Sequence, residues 1–129
     1  MKVKISNGSE FEALGVHGRN VYYQGVSRDC LIFLFDPDTV TLESVRSAFT
    51  ADNCLSIEVT DGSGTYIHEN YTLRLELGEG YISHILDGSV GQDTAQCIYV
   101  RMAQTTLAER KLLQQQAAIE ALVVAALEG

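Results

Sequence analysis

The sequence predicts an α+β protein: a mostly antiparallel β-sheet or sandwich with one short inserted helix and a long C-terminal helix. Three observations predict it. Apolar/polar alternations of period two recur through residues 1–104, separated by turn-forming Asn, Asp and Gly. No regular strand–helix–strand order accompanies them, so a parallel α/β sheet is not expected. From Thr106 onward the period becomes helical. The chain therefore divides into a β-rich domain, 1–104, and a C-terminal helix for packing or oligomerisation, 105–129.

The first element is a hairpin whose register follows from charge. A two-residue Asn7-Gly8 turn would set Lys4 against Phe11 and Ile5 against Glu10. A three-residue loop, Ser6-Asn7-Gly8 with Gly8 left-handed, pairs Val3 with Phe11, Lys4 with Glu10 and Lys2 with Glu12. The second register keeps one face apolar and the other charge-matched. Asn20–Val26 reads as a short strand or extended segment. Asp29–Phe35 lacks alternation and is β-branched and aromatic, as a central strand buried on both faces would be. Pro37 ends it. Thr41 caps a short helix with Leu42, Val45 and Phe49 on one face and Glu43 in its first turn, closed by Asp52-Asn53.

Period two then returns. Leu55–Thr60 alternates, Asp61–Gly64 turns, and Thr65–His68 runs back. Tyr71–Leu77 alternates most regularly, with Tyr71, Leu73, Leu75 and Leu77 on its apolar face and Thr72, Arg74 and Glu76 toward water. Tyr81–Leu86 is a further strand candidate, and Asp87–Asp93, rich in Gly and acid, a candidate mobile loop. Gln96–Met102 is the last strand. The total is about seven strands with one inserted helix.

The terminal segment combines several agreeing signals. Thr106-Leu-Ala-Glu109 is a capping box. Leu107–Leu127 makes a rod of roughly 31 Å at 1.5 Å per residue. Ala108, Leu112, Gln115, Ile119, Leu122 and Ala126 recur at alternating four and three, the spacing of a coiled-coil seam in which polar Gln115 sets register. Val123, Val124, Ala125 and Leu127 carry the apolar surface beyond that seam. Within Ala117–Leu127, Glu120 is the lone charge. Such a helix needs burial to persist in water, against its own sheet, another copy or another protein.

Composition narrows the function classes. A chain of 129 residues with 46% hydrophobic and 20% charged residues can build one core without metal or disulfide support. Eleven glycines against one proline favour strands and tight turns. Cys30, Cys54 and Cys97 each lie in an apolar run, as reduced, buried, cytosolic thiols do. A formal charge of −8 with scattered Lys and Arg argues against a nucleic-acid surface. The N-terminal Met-Lys-Val-Lys-Ile alternates like a strand and lacks the apolar core of a secretion signal. The apolar run at the C-terminus is about half the ~20 residues that span a bilayer, so no membrane anchor is expected.

No catalytic constellation emerges, and neither an enzyme nor a cofactor is expected. His17, His68 and His84 stand in no metal-binding spacing. Asp36, Asp38 and Asp61, and Asp87 and Asp93, read as turn formers, because no calcium-loop string surrounds them. The Gly62-x-Gly64 and Gly78-x-Gly80 pairs lack the remaining glycine and lysine of a phosphate cradle and read as turns. Cys97, His84 and Asp93 have no spacing that marks a triad. Tyr22, Tyr23 and Tyr66 read as core or cross-strand aromatics before a ligand patch.

The runs Val21–Phe35, Val45–Cys54, Tyr71–Leu77 and Val100–Glu109 together give the chain a resemblance to small proteins from the tail and baseplate modules of phages and prophages of Gram-positive gut bacteria. The resemblance spans nearly the whole chain and rests on general pattern, without a catalytic motif or site residues. It implies a structural or assembly role near the tail tip or baseplate. The expectation is a non-enzymatic structural protein, cytoplasmic or in the virion if phage-derived, that binds through Leu112, Ile119, Leu122, Val123, Val124, Ala126 and Leu127. Its partner would be further copies of itself, as a homo-oligomer, or another tail protein. The alternative is a small-ligand or carbohydrate-binding module using the loops at 66–70 and 87–93; a hydrolase built on His84 or His68 ranks third.

Overall fold

The first hairpin takes the register that its charges select. In the computed structural model, strands β1 (Lys2–Lys4) and β2 (Glu10–Glu12) pair Val3 with Phe11, Lys4 with Glu10 and Lys2 with Glu12. Gly8 closes the loop at φ +90°, where a side chain would be strained. The model describes residues 1–87 and 95–128, and all their side chains except those of His84, Asp87 and Glu128.

The second hairpin differs from its sequence expectation. Asn20–Val26 is not one extended segment: β3 (Gly15–Tyr23) and β4 (Val26–Phe35) meet at a two-residue turn, Gln24-Gly25. Both turn residues have positive φ, 52° and 78°, matching the twist of the flanking strands. Glutamine is not the Asn, Asp or Gly that usually announces such a turn. Gln24→Asn is expected to raise the unfolding free energy by ~0.5 kcal/mol by easing the left-handed backbone, read as a higher urea midpoint. A lower midpoint would mean that the glutamine side chain makes a stabilising contact of its own.

The fold is α+β, with two four-stranded antiparallel sheets among the described residues. One has the order β2-β1-β5-β6, with β5 (Ser56–Asp61) and β6 (Gly64–Glu69) joined at the Gly62-Ser63 turn. The other is β3-β4-β8-β7, with β7 (Leu73–Tyr81) and β8 (Gln96–Ala103). As the missing alternation predicts, β4 lies inside its sheet and is buried on both faces. Leu31, Phe33 and Phe35 meet Val3, Ile5, Ile57 and Val59 of the facing sheet, while Cys30, Ile32 and Leu34 pack on the other side with Cys97 and Ile85. The helix α1 (Leu42–Ala48) starts at Thr41, whose hydroxyl accepts from the Ser44 N–H at 3.0 Å. It ends at Phe49, and Asn53 Nδ2 donates to the Ala48 carbonyl at 3.0 Å, as the expected closure by Asp52-Asn53 requires.

Three further expectations are corrected around β7. Its alternation does not keep one face: a bulge between Arg74 and Glu76 sends Leu73 and Leu75 to the outer cluster, whereas Tyr71 and Leu77 join the inner core. Arg74 does not point to water but donates to the carbonyls of Arg46 (2.9 Å) and Phe49 (3.3 Å) at the end of α1. Gly78 and Gly80 are not a turn; they lie within β7, opposite Tyr99 and Cys97. A Cβ on Gly78 would meet the Tyr99 hydroxyl at 3.1 Å, so the missing side chain lets that ring lie across β7 and donate to Glu76 at 2.7 Å.

The Tyr81–Leu86 segment is not a strand. Tyr81 ends β7, and Ile82–Asp87 forms a short helix, α2, whose Ile85 caps the outer cluster over Cys30, Ile32 and Cys97. A six-residue apolar run suits either structure by pattern; the uncovered outer face of β4 and β8 decides for the helix. The candidate mobile loop beyond Asp87 falls, over 88–93, outside the described residues.

Candidate functional site

Strand β8 feeds the terminal helix α3 (Leu107–Glu128) through a joint of closely placed polar contacts. The capping box forms as its residues predict: Glu109 accepts from the Thr106 N–H at 2.8 Å, and the Glu109 N–H donates to Thr106 Oγ1 at 3.1 Å. The same carboxylate has a second role. Arg28, buried on β4, donates both terminal guanidinium nitrogens to Glu109, one of them at 2.9 Å to Oε2. Arg28 also donates to the carbonyls of Tyr23 (3.1 Å) and Gln104 (3.2 Å). Paired with Arg28 and bonded to the Thr106 backbone, the Glu109 carboxyl is held well below the usual range, at about 2.

Neighbouring contacts fix the chain on either side of this pair. The Gln104 N–H donates to the Asp29 carbonyl at 2.9 Å, and the Thr105 N–H donates to the Asn70 carbonyl at 3.0 Å. Arg110 donates to the Thr105 carbonyl. Two strands and the loop at Asn70 therefore set the direction in which the helix leaves the domain. The Arg28–Glu109 pair was not legible in the sequence. Glu109 has a complete local explanation in the capping box, and nothing local marks its partner 81 positions away.

Beyond the joint the helix is uncovered. Every residue from Lys111 to Leu127 is exposed. The alternative in which α3 lies across its own sheet does not occur. The proposed interaction residues Leu112, Ile119, Leu122, Val123, Val124, Ala126 and Leu127 all lie on this shaft, with exposures from 52% at Val124 to 83% at Leu127 among the larger ones. Leu107 and Leu113, which the seam spacing passes over, are exposed apolar residues of the same helix. A helix of 22 residues is about 33 Å long, so this surface runs the length of a rod rather than forming a local patch.

The remaining sequence candidates are dispersed. Cys30, Cys54 and Cys97 are free and buried, and burial raises all three thiols, Cys54 to about 12. They are protonated at neutral pH and poor nucleophiles. Asp36 and Asp61 accept from the backbone N–H groups of Asp38 (2.9 Å) and Ser63 (2.7 Å), the turn chemistry expected of them. Among the described residues no group of three His, Cys, Asp or Glu side chains could hold a metal, and no helix is long and apolar enough to cross a membrane.

His17 lies on β3, whereas the side chain of His84 and residue Asp93 fall outside the described set. His68 sits edge-on to Tyr71, with ring centroids 5.7 Å apart, and desolvation lowers its pKa. These two line an open cleft with Arg19, Asn20 and Asp29. Of the proposed ligand loops, His68 is the part of 66–70 that reaches this cleft, and 88–93 lie outside the described residues. Tyr22, Tyr23 and Tyr66 are exposed strand residues, cross-strand neighbours of Ser27, Val26 and Val59 rather than core aromatics. Comparison with protein-family models, curated proteins and solved structures finds no match to this chain.

Proposed function

We propose that this chain is a non-enzymatic assembly protein of a phage-tail setting, in which the β-rich part, 1–104, is the body and the helix, 105–129, the binding element. The observation that carries the reading is the continuous exposure of apolar side chains from Leu112 to Leu127 on a helix whose root is held by the body. A lone helix of this length is marginal in water, so the apolar shaft is stable only when covered. The phage-tail setting rests on the sequence resemblance alone.

Removing residues 111–129 tests this. The shortened chain keeps the joint through Arg110, and its unfolding free energy is expected to stay within about 0.5 kcal/mol of the full chain's, as for other uncovered surface. A shortened chain that loses several kcal/mol or fails to fold would show that the shaft belongs to the domain's own core, and the binding role would fall.

A further inference from the structure

We infer that the partner of α3 is the α3 of other copies of this chain, gathered in a parallel bundle of more than two helices. This rests on the reading of α3 as a binding element and names what it binds. The seam Ala108, Leu112, Gln115, Ile119, Leu122 and Ala126 is self-complementary, because the same alternating spacing on a second helix supplies the holes that its own knobs fill.

Gln115 selects the orientation. In a parallel pair it meets Gln115 of the neighbour, amide to amide. In the antiparallel pairing that aligns the two seams, Ala108 faces Ala126, Leu112 faces Leu122, and Gln115 is pressed against Ile119. That layer buries a side-chain amide on aliphatic carbon with nothing to bond. The charges near the seam are compatible with the parallel arrangement. Lys111 flanks it on one side opposite Gln116 of the neighbour, Glu109 is already held by Arg28, and Arg110 and Glu120 point away from it.

Area selects the number. A stripe about 100° wide along a rod of about 33 Å offers roughly 400 Å² of accessible surface per helix, so a two-helix seam buries less than the ~1,000 Å² of a specific interface. The apolar surface is wider than that stripe. Val123 and Leu127 extend it on one flank, about 60–100° from the seam, and Ala118 and Ala125 extend it on the other. Two apolar flanks let each helix contact two neighbours, as in a bundle, while Val124 stays on the outer side. The extra surface lies in the half of the rod farthest from the body, where helices can converge without crowding the domains.

Light scattering and sedimentation of the full chain test the inference. The expected mass is at least three times the 14.1 kDa of one chain. Leu122→Glu is expected to return it to a single chain while the thermal melt of the β-rich part is unchanged. Ala126→Cys, mildly oxidised, is expected to give disulfide-linked pairs, since equal positions face each other only in a parallel bundle; the natural cysteines are buried and do not compete. A single-chain mass at the highest soluble concentration would overturn self-association and leave the binding role of α3 to the truncation result. A two-chain mass would overturn the number. Cross-linking only when Ala108→Cys and Ala126→Cys are combined would overturn the parallel orientation.

Discussion

Phe49→Ala is expected to cost about 3–5 kcal/mol of unfolding free energy, the largest effect of any single substitution proposed for this chain. Phe49 is fully buried and sits among three other rings, with centroids 5.7 Å from Phe11, 5.2 Å from Phe33 and 5.7 Å from Phe35. It thus joins β2, β4 and the end of α1, three pieces of chain distant in sequence. The lost ring leaves a void, and the void cannot collapse easily. The Phe49 N–H donates to the Val45 carbonyl at 2.9 Å, and its own carbonyl is held by Arg74 at 3.3 Å. For a domain of this size the loss corresponds to roughly 10–20 °C in melting temperature. Phe49→Leu, which refills most of the space, is expected to cost about 1–2 kcal/mol. Equal effects of the two substitutions in urea melts would show that the ring is not packed as described.

Arg28→Met is expected to cost about 2–3 kcal/mol at pH 7 and to loosen the root of the terminal helix. Breaking a buried ion pair by removing one partner typically costs about 3–5 kcal/mol; here the figure is reduced because the Glu109 side chain is 35% exposed and water screens it. The methionine fills space but leaves the carbonyls of Tyr23 and Gln104 without their donor. Arg28→Lys keeps the charge and loses the fork that engages both carboxylate oxygens, so it is expected to recover only part of the loss.

The same pair sets a pH dependence whose sign is definite. The Glu109 carboxyl is depressed to about 2 by Arg28 and the Thr106 backbone. A depressed acid stabilises the fold fully above its unfolded pKa, near 4.5, and the contribution fades as pH falls toward the folded value. The difference in unfolding free energy between the natural chain and Arg28→Met is therefore expected to be constant from pH 7 to about 5 and to shrink by ~1–2 kcal/mol between pH 4.5 and 2. A difference independent of pH across that window would mean that the carboxylate is not held by the arginine.

Much of the architecture was legible because it is locally encoded. The charges of Lys2, Lys4, Glu10 and Glu12 select one register of the first hairpin, and the unbroken apolar run of β4 requires cover on both faces. The Thr106–Glu109 capping box could be placed from residues three apart, and Thr41 as the cap of α1 from its position before an amphipathic run. The errors cluster where a segment suits two structures and its neighbours decide. Ile82–Asp87 has the residues of a strand, yet it becomes a helix over the outer face of β4 and β8. The alternation of Tyr71–Leu77 is regular in sequence, but the bulge at Leu75 splits its apolar residues between two cores.

For the candidate site, the sequence by itself determined the helix, its start at Thr106 and the apolar seam with its surplus residues, because helical periodicity and capping act within a few residues. Only the tertiary structure decided whether that surface is covered. Exposure depends on where the domain's own apolar faces lie, and the two faces of the sheet that feeds the helix are filled by the opposing sheet on one side and by α2 on the other. The Arg28–Glu109 joint belongs to the same class. It forms because β4 and β8 are neighbours in one sheet and bring a strand arginine to the first turn of a distant helix, a proximity that no local pattern encodes.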